Sequence, residues 1–375
     1  MLEIKSAKGI YLEDVNGKEY IDLISGIGVS NVGHGHPKVI ETIKSQVDLH
    51  LHTMVYGEFV QNPQVKLAKA ITDTLPSELD SVFMVNSGSE AIEGALKLAK
   101  RYTGRPKIFS CLNSYHGSSH GALSVSGSED FKKNFRPLLP MVHHVEFGNI
   151  DDLDHIDENT AAVVVETIQG EAGVRFSNKD YFHNLRRRCT EKGALLILDE
   201  IQCGFGRTGS FWAFEKYGIV PDIVVSAKGM GGGMPIGCFV SNKEVMNNFT
   251  FNPVLGHITT FGGHPVSAAA SLATINVINN EKLLYGVERK ENLFHKLLKH
   301  PKIKEVRSVG LMMAVQFEDY NQLKPIIDKA IELGVITDWF LFNDSSMRIA
   351  PPLTITESEI EKACKLILEA IDKAN

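Results

Sequence analysis

The sequence predicts an α/β protein with two domains. The larger domain is built on a mostly parallel sheet, and the smaller is an α+β domain made from both ends of the chain. The 375 residues exceed what one compact core usually takes. Between about residues 80 and 240, short runs rich in Val and Ile alternate with amphipathic patterns such as EAIEGALKLAKRY. Continuous apolar strands separated by helices are typical of a parallel sheet that is covered on both faces.

The elements are predicted in order along the chain. Two alternating stretches flank Asn16-Gly17, a strong hairpin signal, so the chain is expected to open with an antiparallel pair. Apolar runs then predict the strands SVFMV, KIFS, AAVVVE, ALLILD, DIVVSA and GCFV. A helix of small residues, PVSAAASLATINVI, follows GGHP, and an amphipathic helix, ESEIEKACKLILEAI, ends the chain. We therefore place the large domain at residues 46–254 and assign residues 1–45 and 255–375 to the small domain.

The composition excludes several classes of protein. The content of 43% hydrophobic and 22% charged residues is that of an ordinary globular protein, and a net charge of -6 gives no nucleic-acid footprint. The start MLEIKSAKGIY lacks the apolar core of a signal peptide, and no apolar run is long enough to span a bilayer. We expect a cytoplasmic protein without nucleic-acid or membrane partners. The 5 cysteines include no C-x-x-C pair, which argues against a disulfide framework and a cysteine-based zinc site.

Polar groups follow four of the predicted strands, which the sequence suggests are consecutive in the sheet. Asn86 to Glu90 follow the first, Glu166 and Asp199 end two others, and Lys228 follows a fourth. The carboxyl ends of parallel strands lie at one edge of the sheet, where ligands bind. The sequence therefore predicts one site that combines an anion-binding turn, carboxylates and a lysine.

Each of these groups also has a purely structural interpretation. The Ser87-Gly88-Ser89 turn before a helix near Glu90 can hold a phosphate on free backbone N–H groups, or Ser can simply cap the helix. The turn matches neither a nucleotide P-loop nor a G-x-G-x-x-G dinucleotide motif. Asp199 can cap a helix or can stabilise a protonated heterocyclic nitrogen of a ligand. Composition and spacing leave both alternatives open for both groups.

Lys228 stands in SAKGMGGGMPIG, a run of glycines that follows a strand. Such a lysine can be solvated, can bind a phosphate or can act as a covalent nucleophile. Most lysines are solvated, but the strand-end position and the glycines, which let a ligand approach closely, favour a chemical role. Lysine is also the residue that forms Schiff bases with carbonyl cofactors.

Two histidine pairs raise the question of a metal site. His34 and His36 lie in VGHGHP, and His50 and His52 lie in DLHLH. Neither pair belongs to an H-E-x-x-H arrangement, and the neighbouring Gly and Pro indicate a loop. We predict no metal site.

Taken together, these motifs resemble the class III, or subgroup II, aminotransferases that use pyridoxal 5'-phosphate, and the likeness covers nearly the whole chain. The segments occur in that family's order and spacing: NSGSEAIEGALKLAKRYTGR, YHGSSHGALSVSG, ETIQGEAGV, LLILDEIQCGFGRTG, AKGMGGGMPIG, TTFGGHPVSAAA and MRIAPPLTIT. Length and phrasing are most similar to the acetylornithine and ornithine aminotransferases. The resemblance implies fold type I of the pyridoxal-phosphate-dependent transferases and a homodimer with a shared active site.

The resemblance also implies roles for individual residues. Lys228 would bind the cofactor covalently and, once the substrate amine displaces it, would move the proton during transfer. Asp199 would pair with the protonated pyridine nitrogen, which makes the ring an electron sink. The other cofactor contacts implied are Gln202 at the ring hydroxyl, Ile201 and Tyr115 on the two ring faces, and Gly88, Ser89 and the partner subunit's Thr260 at the phosphate.

Substrate contacts are implied for Arg348, Glu171, Ser118, Thr259 and Tyr56. Arg348 suits the α-carboxylate of glutamate, and Glu171 would neutralise this arginine when the other substrate presents no carboxylate there. Ser118 is a departure, because acetylornithine and ornithine aminotransferases carry an arginine there, which binds the α-carboxylate of the ω-amino substrate. A second departure is His264, where acetylornithine enzymes usually have asparagine.

These features predict an aminotransferase that moves an amino group from an ω-amino compound to 2-oxoglutarate, giving glutamate. Acetylornithine or ornithine is the leading donor, followed by 4-aminobutyrate, lysine or a diamine. An aminomutase or a decarboxylase on the same fold is the alternative enzyme class. A non-catalytic cofactor-binding module is a third hypothesis, against which the intact set of Lys228, Asp199 and Gln202 argues.

Overall fold

The computed structural model describes residues 2–55 and 57–374. Its strands are β1 (Ile4–Lys8), β2 (Tyr11–Asp14), β3 (Glu19–Asp22), β4 (Ser81–Val85), β5 (Lys107–Cys111), β6 (Val142–Val145), β7 (Thr160–Glu166), β8 (Leu195–Asp199), β9 (Ile223–Ser226), β10 (Gly237–Ser241), β11 (Glu305–Val309), β12 (Met312–Gln316), β13 (Val335–Ile336), β14 (Trp339–Phe340) and β15 (Asn343–Ile349). Its α-helices are α1 (Ser25–Gly28), α2 (Pro37–Leu49), α3 (Asn62–Thr72), α4 (Gly88–Thr103), α5 (His120–Val125), α6 (Glu129–Lys132), α7 (Lys179–Lys192), α8 (Lys243–Met246), α9 (Pro265–Asn280), α10 (Val287–Leu297), α11 (Tyr320–Leu333) and α12 (Glu357–Lys373).

The large sheet has the strand order β4-β10-β9-β8-β7-β5-β6. The strands β9, β8, β7, β5 and β6 run parallel, which confirms the predicted α/β class and the mostly parallel sheet. All six strands predicted for this sheet are present, and β6 is an additional strand that was not predicted.

One expectation about this sheet was wrong. The strand β10 runs antiparallel between β4 and β9, so the four strands that carry the polar groups are not consecutive. The physical reason is the short connection from β9 to β10, which contains a 3₁₀ turn but no crossover helix. A short connection returns the chain antiparallel, whereas a parallel neighbour needs a long crossover.

Helices cover both faces of the sheet because the side chains of each strand alternate between two apolar clusters. In β7, Val163 and Val165 belong to one cluster, together with Tyr181 of α7. Ala162 and Val164 belong to the opposite cluster, together with Leu96 of α4. The sheet edge that carries the polar groups is thereby held between two buried layers.

The ends of the chain form two smaller sheets. The predicted hairpin is confirmed, since β2 and β3 pair antiparallel with Leu12 opposite Tyr20. β13 extends this sheet by pairing parallel with β3, and a second sheet has the order β11-β12-β15-β14. The helix α9 begins inside the range assigned to the small domain but packs against α2, α3 and the turn of Lys228. The domain boundaries therefore stay predictions.

The helix α4 shows how local sequence fixes the position of an element near the site. Ser87 caps its first turn by accepting a hydrogen bond from the Glu90 backbone N–H, and Gly104 ends it in the left-handed region at φ 69°. Among the described residues, no helix is long and apolar enough to cross a membrane.

Candidate active site

A cavity of about 430 Å³ opens at the carboxyl edge of the large sheet. It is of the size that small-molecule and cofactor sites usually have. Residues that follow β4, β7, β8 and β9 line it, as the strand-end argument predicts. Of the residues predicted for the site, the lining includes Gly88, Ser89, Tyr115, Glu171, Asp199, Ile201, Gln202 and Lys228.

The first wall of the cavity is the start of α4. The helix begins at Gly88, and the Ser87 hydroxyl accepts from the Glu90 N–H at 3.2 Å, so the structural interpretation of this serine holds. Capping leaves other N–H groups of the first turn unpaired within the helix, and these favour an anion. A Cβ on Gly88 would lie 2.8 Å from Ile201 Cδ1, so glycine is needed for the close contact between these two walls.

Asp199 ends β8 and is buried. Its Oδ1 accepts from the Ile201 backbone N–H at 2.9 Å, and its Oδ2 accepts from His116 Nδ1 at 2.7 Å. The other ring nitrogen of His116, Nε2, lies 3.2 Å from the Ser110 hydroxyl. Asp199 therefore fixes the turn after β8 and also faces the cavity, so the two interpretations of this residue are compatible. Each carboxylate oxygen has a second lone pair with which to accept from a ligand.

Glu166 ends the neighbouring strand β7 and lines the same cavity. Its two oxygens accept from the backbone N–H groups of Tyr115 and Gly170, each at 2.9 Å. Burial raises the pKa of Glu166 to about 7, the nearby His116 lowers it, and the charge of Asp199 raises it further. Glu166 thus joins the segment of Tyr115 to the loop that leads into Glu171.

Lys228 opens the 3₁₀ turn after β9 with a backbone φ of 46°. Non-glycine residues rarely adopt this left-handed conformation, and they concentrate at functional sites. Burial lowers the pKa of the Lys228 amine, whereas the charges of Glu171 and Asp199 raise it. A lowered pKa increases the fraction of neutral amine, which is the nucleophilic form.

Glu171 and Arg348 form a buried pair beside the cavity, and each side chain is only 4% exposed. Two parallel hydrogen bonds of 2.9 Å join Nη1 to Oε1 and Nη2 to Oε2. Burial alone would raise the pKa of Glu171, but the hydrogen bonds and charge of Arg348 outweigh it and lower the pKa to about 2. Gln202 Nε2 donates to the same Oε1 at 3.2 Å, so the pair is tied to the cavity wall.

The remaining predicted residues are not part of the lining of this cavity, although two of them contact residues that are. The backbone N–H of Ser118 donates to Ser89 Oγ at 3.3 Å, so Ser118 lies against the start of α4. Thr259 accepts from Asn86 Nδ2 at 2.8 Å and lines a second cavity of about 540 Å³. The Thr260 carbonyl lies 3.0 Å from His52 Nε2. Tyr56 lies outside the described residues.

The histidine pairs singled out by sequence have other partners. His34 pairs with Asp22 at 2.7 Å, and His36 lies 3.4 Å from Glu281. The ring of His52 stacks on that of His264 with centroids 5.7 Å apart. Over residues 2–55 and 57–374, no group of three or more His, Cys, Asp or Glu side chains is arranged to hold a metal ion.

The fold and the cavity define a class of protein. A lysine with a lowered pKa, a buried carboxylate and a helix start around one cavity suit a cofactor with an aldehyde, a ring nitrogen and a phosphate. These are the groups of pyridoxal 5'-phosphate, and the donor set of the cavity fits them.

Comparison with known proteins gives the family. The chain belongs to the class III aminotransferases, whose family description, Aminotransferase class-III, matches residues 1–371. The acetylornithine aminotransferase of Methanopyrus kandleri is 39% identical, covering 97% of this chain and 92% of the relative. That of Archaeoglobus fulgidus is 40% identical over 97% of this chain and 94% of the relative.

Solved structures agree with this family. The ornithine aminotransferase of Toxoplasma gondii has a TM-score of 0.92 and 31% identity, covering 99% of this chain and 90% of that one. A transaminase from the marine bacterium Virgibacillus has a TM-score of 0.94 and 31% identity, covering 100% and 93%. The protein is therefore a transaminase of fold type I that depends on pyridoxal 5'-phosphate.

Sequence reasoning missed one side chain that the structure brings into the site and one beside it, and it placed a third at the site without a role. His116 stands in the YHG segment, directly after Tyr115, but nothing in the sequence indicated that it pairs with Asp199, 83 positions away. Glu166 was noted as a strand end without a role. Asp338, which contacts Arg348, belongs to none of the recognised segments.

Proposed function

We propose that the protein transfers an amino group from an ω-amino compound to 2-oxoglutarate, giving glutamate, with acetylornithine or ornithine as the leading donor. The observation that carries the proposal is the buried bidentate pair of Arg348 and Glu171 beside the cofactor cavity. An arginine with a removable carboxylate partner can serve two substrates in turn, one with a carboxylate at that place and one without. Relatives named acetylornithine aminotransferase support the same reaction.

In this proposal, the residues of the cavity have different roles in the reaction. Lys228 would hold the cofactor covalently, and its amine, when free, would move the proton at the substrate carbon. Asp199, held in place by His116, keeps the ring nitrogen protonated. The bound cofactor supplies the electron sink for the negative charge that develops on the substrate carbon.

The other cofactor contacts in this proposal are those that the resemblance to the family implies, and all but Thr260 belong to residues that line the cavity. Gln202 and the two ring-face residues, Ile201 and Tyr115, hold the ring. Gly88 and Ser89 hold the phosphate at the start of α4, where the helix end favours an anion. The partner subunit's Thr260 completes the phosphate site.

The proposed donor is constrained by Ser118. This residue lies at the start of α4 through its contact with Ser89, and serine cannot form the charged fork contact of an arginine. Among the described residues that line the cavity there is a lysine but no arginine. Of the alternative donors, which are 4-aminobutyrate, lysine and a diamine, only the diamine has no carboxylate that would need such a contact.

We also propose a homodimer with a shared active site. The second cavity lies between the segments at residues 57–68 and 246–262, both of which carry exposed apolar side chains. Thr259 lines this cavity and contacts Asn86 at the edge of the first one. A partner that covers this surface would therefore reach the cofactor cavity.

A half-reaction screen tests the proposal. Purified protein carrying its cofactor is mixed with single candidate amines, and the visible absorbance of the lysine-bound cofactor is followed as it converts to its amine form. We expect a fast change with an ω-amino compound, recovery on adding 2-oxoglutarate, and formation of glutamate. Failure of 2-oxoglutarate to restore the absorbance would contradict the proposed acceptor. Persistence of the lysine-bound absorbance in Lys228→Ala without added amine would contradict the role of Lys228.

The alternation of Arg348 between two carboxylates has its own test. Glu171→Ala leaves Arg348 without its buried partner during the reaction with the ω-amine, and an unpaired buried charge is costly. We expect the variant to react more slowly with the ω-amine and to react with glutamate in its place more readily. If both half-reactions kept their wild-type rates, the proposed alternation would be wrong.

A further inference from the structure

Arg348 has a second carboxylate partner, Asp338. The Nε–H of Arg348 donates to Asp338 Oδ1 at 2.9 Å, and the backbone N–H of Arg348 donates to the Asp338 carbonyl at 2.8 Å. Asp338 directly precedes β14, which pairs antiparallel with β15, the strand of Arg348. Arg348 is therefore held by a carboxylate of its own sheet as well as by Glu171.

The two carboxylates use different edges of the guanidinium group. Glu171 occupies the terminal fork, Nη1 and Nη2, whereas Asp338 occupies Nε. The Trp339 carbonyl accepts from Nη2 at 3.3 Å, and the Arg348 guanidinium lies 4.5 Å from the centroid of the Phe340 ring. If Glu171 moved away, the guanidinium would still be held by Asp338 at Nε, by the Trp339 carbonyl at Nη2 and by the Phe340 ring.

The balance of charge also indicates that Asp338 supports Arg348 when Glu171 moves away. Arg348 is almost entirely buried, so it would become a buried unpaired cation if Glu171 were its sole partner and moved away. Asp338 keeps a negative charge against the guanidinium in that state. Its side chain is 31% exposed against 4% for Glu171, so its charge is less desolvated than that of Glu171, although burial still raises the pKa of Asp338 and Arg348 opposes this.

We propose that Asp338 is a positioning residue that holds Arg348 by its Nε edge and keeps the fork directed at the cavity while Glu171 gives way to a substrate carboxylate. This inference rests on the proposed function, in which Arg348 binds the carboxylate of glutamate and 2-oxoglutarate. It predicts that Asp338 affects the half-reaction with the keto acid and leaves the half-reaction with the ω-amine unchanged.

Two variants separate the contact from the charge. Asp338→Ala removes the acceptor for Nε, and Asp338→Asn keeps an acceptor oxygen without the negative charge. We expect the KM for 2-oxoglutarate to rise about tenfold or more in Asp338→Ala, because the loss of one hydrogen bond to a charged group changes an affinity by a factor of this size. The KM should rise by a smaller factor in Asp338→Asn. The rate of cofactor conversion by the ω-amine should stay within about twofold of wild type.

Asp344→Ala is the matched control, because Asp344 is an exposed carboxylate on the same strand, β15. This variant should keep the wild-type KM. Calorimetric binding of glutarate, which has the two carboxylates of the substrate but neither amine nor carbonyl, gives a readout that is independent of turnover. Its affinity for the enzyme with the cofactor in the amine form should fall in Asp338→Ala by the same factor as the KM rises.

The outcomes distinguish this inference from the proposed function. Wild-type values for both the 2-oxoglutarate KM and the glutarate affinity in the Asp338 variants would overturn it, as would an equal loss in the two half-reactions. If wild type failed to use 2-oxoglutarate at all, the proposed function would be wrong, and the glutarate affinities would still decide whether Asp338 positions Arg348. If Asp338→Ala does not fold, Asp338→Asn decides by the same two measurements.

Discussion

Glu166 shows how one residue can link the site to the stability of the fold. It is buried between the strand ends, accepts two backbone hydrogen bonds, and has a pKa raised to about 7 by burial. A carboxyl with a raised pKa binds its proton more tightly in the folded state than in the unfolded state. Its contribution to stability is therefore present at acid pH and is lost as the pH rises through about 7.

Glu166→Gln should weaken this pH dependence. In wild type without cofactor, we expect the contribution of Glu166 to the free energy of unfolding to be lost between pH 5 and pH 8, by roughly 3 kcal/mol or less. Glu200, whose pKa burial also raises to about 7, contributes in the same direction and remains in the variant. Urea unfolding at several pH values measures the change. An unchanged slope in Glu166→Gln would show that Glu166 does not exchange a proton in this range.

The anion-binding turn lies at the start of the helix α4, and a glycine in the middle of this helix sets the distance between the helix and the sheet. A Cβ added to Gly94 would lie 2.3 Å from Cε1 of Phe239, a fully buried ring on β10. The helix must therefore pack directly on this ring. The start of α4 faces the cofactor cavity as a consequence of this close packing.

Gly94→Ala should destabilise the protein although alanine favours helices. Alanine gains up to about 1 kcal/mol in helix propensity, whereas overpacking against a buried ring costs about 1–3 kcal/mol and displaces the helix. We expect lower stability in urea and weaker binding of pyridoxal 5'-phosphate, measured by titration of the cofactor-free protein. Lys100→Ala, at a partly exposed position near the end of the same helix, is the control and should change both quantities far less. A stabilised Gly94→Ala variant with wild-type cofactor affinity would contradict the packing argument.

At the scale of the whole molecule, the two segments that border the second cavity carry many exposed apolar side chains. We define an apolar surface by its exposed side chains: Leu49, Leu51, Phe59, Val60, Val65, Phe251, Val254, Leu255, Ile258 and Phe261. Contiguous apolar patches on a protein surface mark interaction sites, and the second cavity lies within this one. A second copy of the chain is the partner that the proposed function requires.

A charge placed on this surface should separate the subunits. Val254 is 71% exposed in the single chain, and Val254→Asp would bury a carboxylate on association. We expect light scattering to give twice the chain mass of 41.4 kDa for wild type and a shift toward a single chain for the variant, with loss of activity. Phe176→Asp, at an exposed apolar residue outside this surface, should stay dimeric. A monomeric, active wild type would contradict the shared site.

Features that depend on residues close together in the chain could be predicted from the sequence, whereas contacts between distant residues could not. Apolar runs, hairpin and cap signals reflect contiguous residues, so six of the seven strands of the large sheet and the start of α4 could be predicted. The position of β10 could not, because strand order depends on which strands pair across long separations. The same holds for the contact between His116 and Asp199, which lie 83 positions apart.

The sequence by itself determined the class of protein and the set of chemical groups at the strand ends, including Lys228, Asp199 and the turn at Ser87 to Ser89. It did so because short patterns define strands, and strand ends define where side chains gather. Only the tertiary structure decided how the side chains in and beside the site are held. Glu166 accepts from two backbone N–H groups, and Arg348 lies between Glu171 and Asp338. These contacts join segments up to 177 positions apart, and folding alone brings them within hydrogen-bond distance.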